Sequence, residues 1–150
     1  AQNTGAGRID RVRQGFRAAT VIASIYAVVT GLMAIFGGKY LTVLFVSENL
    51  PQIMELVDIY MKCIGAVFIP LAVVNIYRNG IQGMGYGLLP MMAGVAELIG
   101  RGVVALIAAS RKSYVGACLA NPAAWLFAGA LLLIMYFSIM KKREKNSLLS

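Results

Sequence analysis

The sequence predicts an all-α fold, a polytopic transmembrane helix bundle of four spans. Three observations point there. Apolar residues make up 59% of the 150-residue chain and charged residues only 13%, about half the share usual in soluble domains. Residues 18–38 and 113–140 carry no charge, and each is long enough for a helix to cross a bilayer, which takes about 20 residues. The net charge of +8 gathers where apolar runs stop, the pattern of a membrane protein, and is not interleaved with aromatics as a nucleic-acid face would be.

The first span is read near 13–37, entered through Arg8, Arg11, Arg13 and Arg17. The connection that follows, GKYLTVLFVSENL, contains an apolar YLTVLFV segment too short to cross, which is expected to lie at the interface or to extend the first helix. Ser47 or Asn49 can cap the next helix, with Pro51 in its first turn. The second span, near 51–78, holds Asp58 and Lys62 as an i, i+4 pair toward its outer end. Pro70 removes a backbone bond in its middle and is expected to kink it. Asn75, Tyr77 and Arg78 sit at its inner end, where Asn75 can bond to a neighbouring helix or line a cavity.

Residues 75–90, NIYRNGIQGMGYGLLP, place Gly80, Gly83, Gly85 and Gly87 within eight positions. A Walker-type phosphate loop needs a Gly-Lys-Ser/Thr ending, and a dinucleotide loop needs a preceding strand; neither is present. The four glycines are therefore read as a structural turn between helices, supplying positive φ and close approach. Pro90 fits the first turn of the third span, near 87–110. The fourth, near 119–140, opens on Asn121-Pro122, carries Trp125 as an interfacial or packing aromatic, and leads into the basic tail 141–150. Because it is apolar for nearly its whole length, the last helix is expected to face lipid.

Four spans put both ends on one side. That face holds Arg8, Arg11, Arg13, Arg17, Arg78, Lys141, Lys142, Arg143 and Lys145, against Lys39, Arg111 and Lys112 on the other. Lys/Arg excess marks the cytoplasmic side, so both termini and the glycine turn are expected inside, in a multi-pass plasma-membrane protein. The chain opens on neither a methionine nor a signal peptide, and is expected to be the C-terminal part of a longer protein.

Glu97 and Arg101 lie mid-helix in the third span at i, i+4, the Glu first, which is the orientation that favours an ion pair. Charges inside a membrane are expensive and are functional candidates by default; a mutually neutralised pair that packs the bundle is the plainer reading. With Asn75 they are the candidate cavity or transport-path residues. No catalytic set is expected, since the chain has no histidine, and no metal site, since Cys63 and Cys118 match no ligand spacing.

Several stretches together resemble the multidrug and toxic compound extrusion (MATE) family. AQNTGAGRIDRVRQG is similar to the segment that closes that family's eighth helix and leads into the ninth. RNGIQGMGYGLLP resembles its cytoplasmic turn between helices ten and eleven, AGVAELIGR its eleventh helix, and NPAAW the entry to its twelfth. The likeness runs through all four spans in order.

The resemblance implies the last four of twelve helices, a partial C-terminal lobe whose partners are membrane lipids, the N-terminal lobe and the rest of its own lobe. It implies a cation-coupled antiporter that expels cationic or amphipathic drugs or toxins, with Na⁺ or H⁺ as coupling ion and no cofactor. It also implies a bacterial source and no nucleic-acid partner. The acid most often tied to coupling in that family lies on a helix outside this segment, and FIPLAVVN, where some members carry another, has none. The coupling site is thus expected elsewhere, and the segment is not expected to work alone. The alternatives are a lipid-linked oligosaccharide flippase of the same superfamily, of which several basic cavity residues would be expected, and a non-transporting membrane subunit.

Overall fold

A computed structural model describes residues 1–45 and 50–147; the candidate caps Ser47 and Asn49 lie outside the described residues. Among those described, every regular element is helical. A short helix α1 (Gln2–Gly5) precedes α2 (Ile9–Gly37), and a 3₁₀ segment, Gly38–Leu44, prolongs α2. The apolar YLTVL run thus continues the first helix. Then come α3 (Leu50–Gly65), α4 (Phe68–Gly83), α5 (Leu88–Ser110), α6 (Tyr114–Cys118) and α7 (Ala120–Ser147).

Three helical stretches are long and apolar enough to cross a membrane: Ile9–Leu44, Leu88–Ser110 and Tyr114–Lys145. The second expected span is broken. Pro51–Gly65 and Phe68–Gly83 meet at 50°. Pro70 stands in the first turn of α4, and the carbonyl its absent N–H would have bonded belongs to Ala66, at the break. The kink that Pro70 imposes therefore falls one turn before the proline itself.

The expectation that the last helix faces lipid is corrected for one of its faces, while Leu126, Phe127, Ile134 and Phe137 are exposed on the other. Ala124, Ala128 and Leu132 of α7 are fully buried, and Tyr136 and Met140 nearly so, one row at four-residue spacing. α7 is the central post of the bundle, packed along α5 and α4. Small residues explain this, because Ala124 lies against Gly100 of α5 and Gly129 against Val74 of α4, so backbones approach where larger side chains would hold them apart. A helix that is apolar all round can be either buried or lipid-facing, and composition does not separate the two. Broad outward apolar faces belong to α2, with Ile22, Tyr26, Met33 and Phe36 exposed, and to α5, with Leu88, Met91, Leu98 and Leu106 exposed.

The core gathers around Phe16, Val74, Ile81, Met84, Leu132 and Tyr136, drawn from α2, α4 and α7 and the turn after α4. Phe16, Tyr77 and Tyr136 pack their rings together, with centroids 4.6–5.3 Å apart. Trp125 is partly buried against this cluster.

Candidate functional site

The glycine stretch divides into two jobs. Gly80 lies within α4, and the Phe16 ring covers the place a β-carbon would occupy, so this glycine serves packing. Gly85 alone of the four has positive φ, at 95°. It stands at the end of α4, where Gly85 N–H bonds the Gln82 carbonyl (3.0 Å) and Tyr86 N–H the Ile81 carbonyl (3.3 Å). That is the Schellman pairing, which reverses the chain in a few residues. Gly83 is the last residue of α4, and Gly87 precedes α5 with ordinary helical φ. The tail of α7 braces this elbow: Arg143 donates to the Met84 carbonyl (3.3 Å) and lies over the Tyr86 ring.

Asn75 and Asn79 sit one turn apart on α4. Each donates its amide to its own helix, Asn75 Nδ2 to the Leu71 carbonyl and Asn79 Nδ2 to the Asn75 carbonyl, both at 2.9 Å. Their Oδ1 atoms remain as acceptors beside α2. Two recesses adjoin there and share Asn75 and Ile76 as lining. One, of about 530 Å³, lies between the α1–α2 segment and α4, with Asn3, Thr4 and Phe16 on its wall. The other, of about 430 Å³, continues along α2 past Tyr26 and Thr30 to Phe68. Thr30 donates its hydroxyl to the Tyr26 carbonyl (2.8 Å), so it too offers the groove an acceptor. The groove is apolar and aromatic, with a row of neutral acceptors and Arg11 as its one lining charge.

Glu97 and Arg101 are brought together, and Arg78 joins them. Arg101 Nη2 donates to Glu97 Oε1 (2.9 Å), while Arg78 Nη2, from α4, donates to Oε2 (2.6 Å). The Glu97 side chain is only 14% exposed. Sequence reading counted Arg78 among the cytoplasmic charges and treated the i, i+4 pair as self-contained. Nothing local marks a contact across 19 residues, because it depends on how the elbow folds α5 back along α4. The site residues thus divide: Asn75 lines the groove, and Glu97 and Arg101 belong to a charge cluster between α4 and α5.

Toward the far end of the bundle, Asp58 accepts from Lys62 (2.6 Å) and has Lys39 at 3.9 Å. At the opposite end Arg13 of α2 pairs with Glu144 of α7. Among the described residues no three of His, Cys, Asp and Glu come together as metal ligands would.

Comparison with known proteins adds one finding. The family model MatE matches residues 1–107, from α1 through most of α5. No curated protein and no solved structure matches the chain.

Proposed function

The chain belongs to the MatE family of multi-pass membrane transporters, and from that premise we propose that it is part of a cation-coupled antiporter exporting cationic or amphipathic small molecules. The observation that carries this reading is the α2–α4 groove. An apolar, aromatic trough with neutral acceptors, Asn75 Oδ1, Asn79 Oδ1 and the Thr30 hydroxyl, suits a ligand with an apolar body and one or two N–H donors. It holds no carboxylate among its lining residues, so a donor-bearing ligand would be oriented there without being trapped by a fixed charge. The same lining argues against a flippase reading, which would call for several basic groups to meet pyrophosphate.

Coupling to Na⁺ or H⁺ is assigned to residues outside the groove, since its lining has no acid to bind either ion. Orientation follows the charge asymmetry, with both termini and the 79–87 elbow in the cytoplasm.

The test is export of a cationic dye by the full-length protein in a pump-deficient bacterium, with membrane levels matched between variants. Asn75→Leu should lower export about 5- to 10-fold, the worth of roughly one hydrogen bond, with the protein level unchanged. Collapse of the Na⁺ or proton gradient should abolish it. Wild-type export by Asn75→Leu/Asn79→Leu would remove the groove from the path.

A further inference from the structure

The cluster around Glu97 does not balance. Two guanidiniums, Arg78 and Arg101, share one carboxylate. The other acids among the described residues are engaged or placed elsewhere: Asp58 with Lys62 and Lys39, Glu144 with Arg13, Asp10 in the first turn of α2, and Glu55 exposed on α3. One positive charge is left over.

Its position makes that expensive. Arg101 lies nine residues before the end of α5 and thirteen after its start, roughly 13 and 20 Å of rise. Neither membrane surface is within easy reach of its stem, so it cannot escape the apolar layer by extending. Its side chain is nonetheless 44% exposed, and it spends only Nη2 on Glu97. Ionised groups at this depth face a bundle interior or a water-filled cavity and are paired there. A guanidinium with a free edge matches a planar two-oxygen anion, which it grips with two parallel N–H bonds.

We propose that Arg101 is an anion-accepting position: its free edge takes one further carboxylate at mid-membrane depth, completing a two-cation, two-anion cluster with Arg78 and Glu97. The carboxylate comes either from a small molecule or from an acidic side chain on a helix packed against this face of α5. The inference requires only that α5 crosses a membrane, and stands apart from the export reading.

Charge counting makes the test one of sign. If no further anion is present, Arg101→Met leaves the Arg78–Glu97 pair neutral and puts an apolar side chain of similar length into an apolar layer. The variant should then be at least as stable as the parent. If the anion is an acidic side chain, Arg101→Met leaves two carboxylates facing Arg78 alone; if it is a small molecule, Arg101→Met releases it and leaves the neutral Arg78–Glu97 pair. In the side-chain case the full-length protein in detergent should melt lower by about 5 °C or more. Adding Glu97→Gln to Arg101→Met should restore part of that loss, because it removes the repelled charge.

An Arg101→Met variant as stable as the parent, together with no rise in the parent's melting temperature in benzoate, overturns the proposal. The source is read with benzoate against benzamide at fixed ionic strength. A rise in melting temperature of the parent with benzoate and not benzamide, absent in Arg101→Met, assigns the carboxylate to a small molecule. A lower-melting Arg101→Met that Glu97→Gln partly restores, with no response to benzoate, assigns it to a neighbouring helix.

Discussion

The backbones of Gly31 and Gly65 touch where α2 crosses the end of α3: a β-carbon on Gly31 would lie 2.7 Å from the Gly65 carbonyl oxygen. A β-carbon on Gly65 would meet Ile35 at 2.7 Å and the Gly31 carbonyl at 2.9 Å. The crossing sits immediately before the 50° break, so two glycines and one proline jointly set how the second span enters the bundle. Gly31→Ala is expected to cost about 1–3 kcal/mol, because the atom it meets is backbone and cannot swing aside. Gly102→Ala in α5, which meets nothing within 4 Å, should be neutral or stabilising by up to about 1 kcal/mol. Thermal melting of the two variants side by side checks this, and equal melting points would sink the contact.

Glu97→Gln should be among the most damaging single changes in the chain. It leaves two guanidiniums without the carboxylate that joins α4 to α5, and breaking a pair of this kind costs about 3 kcal/mol or more. The expected readout is a lower melting temperature and reduced abundance in the membrane. A Glu97→Gln protein that is fully stable yet exports nothing would instead give this acid a transport role.

Two turns predict opposite signs for glycine exchange. Lys112 carries φ 49°, and its turn pairs Lys112 N–H with the Ala109 carbonyl and Ser113 N–H with the Ala108 carbonyl, both at 3.0 Å. This repeats the geometry of the Gly85 elbow with a side chain in a position that favours glycine. Lys112→Gly should stabilise by about 0.5–1 kcal/mol, whereas Gly85→Ala, at φ 95°, should destabilise by about 1 kcal/mol. Denaturation of both variants against the parent decides the matter.

Orientation can be read in intact cells. With Cys63 and Cys118 replaced, a single cysteine at Gly85 should be shielded from a membrane-impermeant thiol reagent, and one at Ser113 should react. Labelling from outside at position 85 would invert the topology.

The sequence by itself determined the all-helical class, the helices long and apolar enough to cross a membrane, and the break and elbow that divide the chain between them. These rest on local quantities: the length of an apolar run, a proline at a helix start and a glycine that supplies positive φ. Pro70 announced the break, and NIYRNGIQGMGYGLLP announced the elbow, though not that only Gly85 needs positive φ while Gly80 makes room for Phe16. Only the tertiary structure decided which apolar face is buried and which charges meet. In a membrane protein both sides of a helix can be apolar, so the Ala124–Ala128–Leu132 row of α7 reads as lipid-facing until its neighbours are placed. Arg78 joins Glu97 for the same reason: their distance is set by the crossing of α4 with α5, and a crossing geometry is not a property of either helix alone.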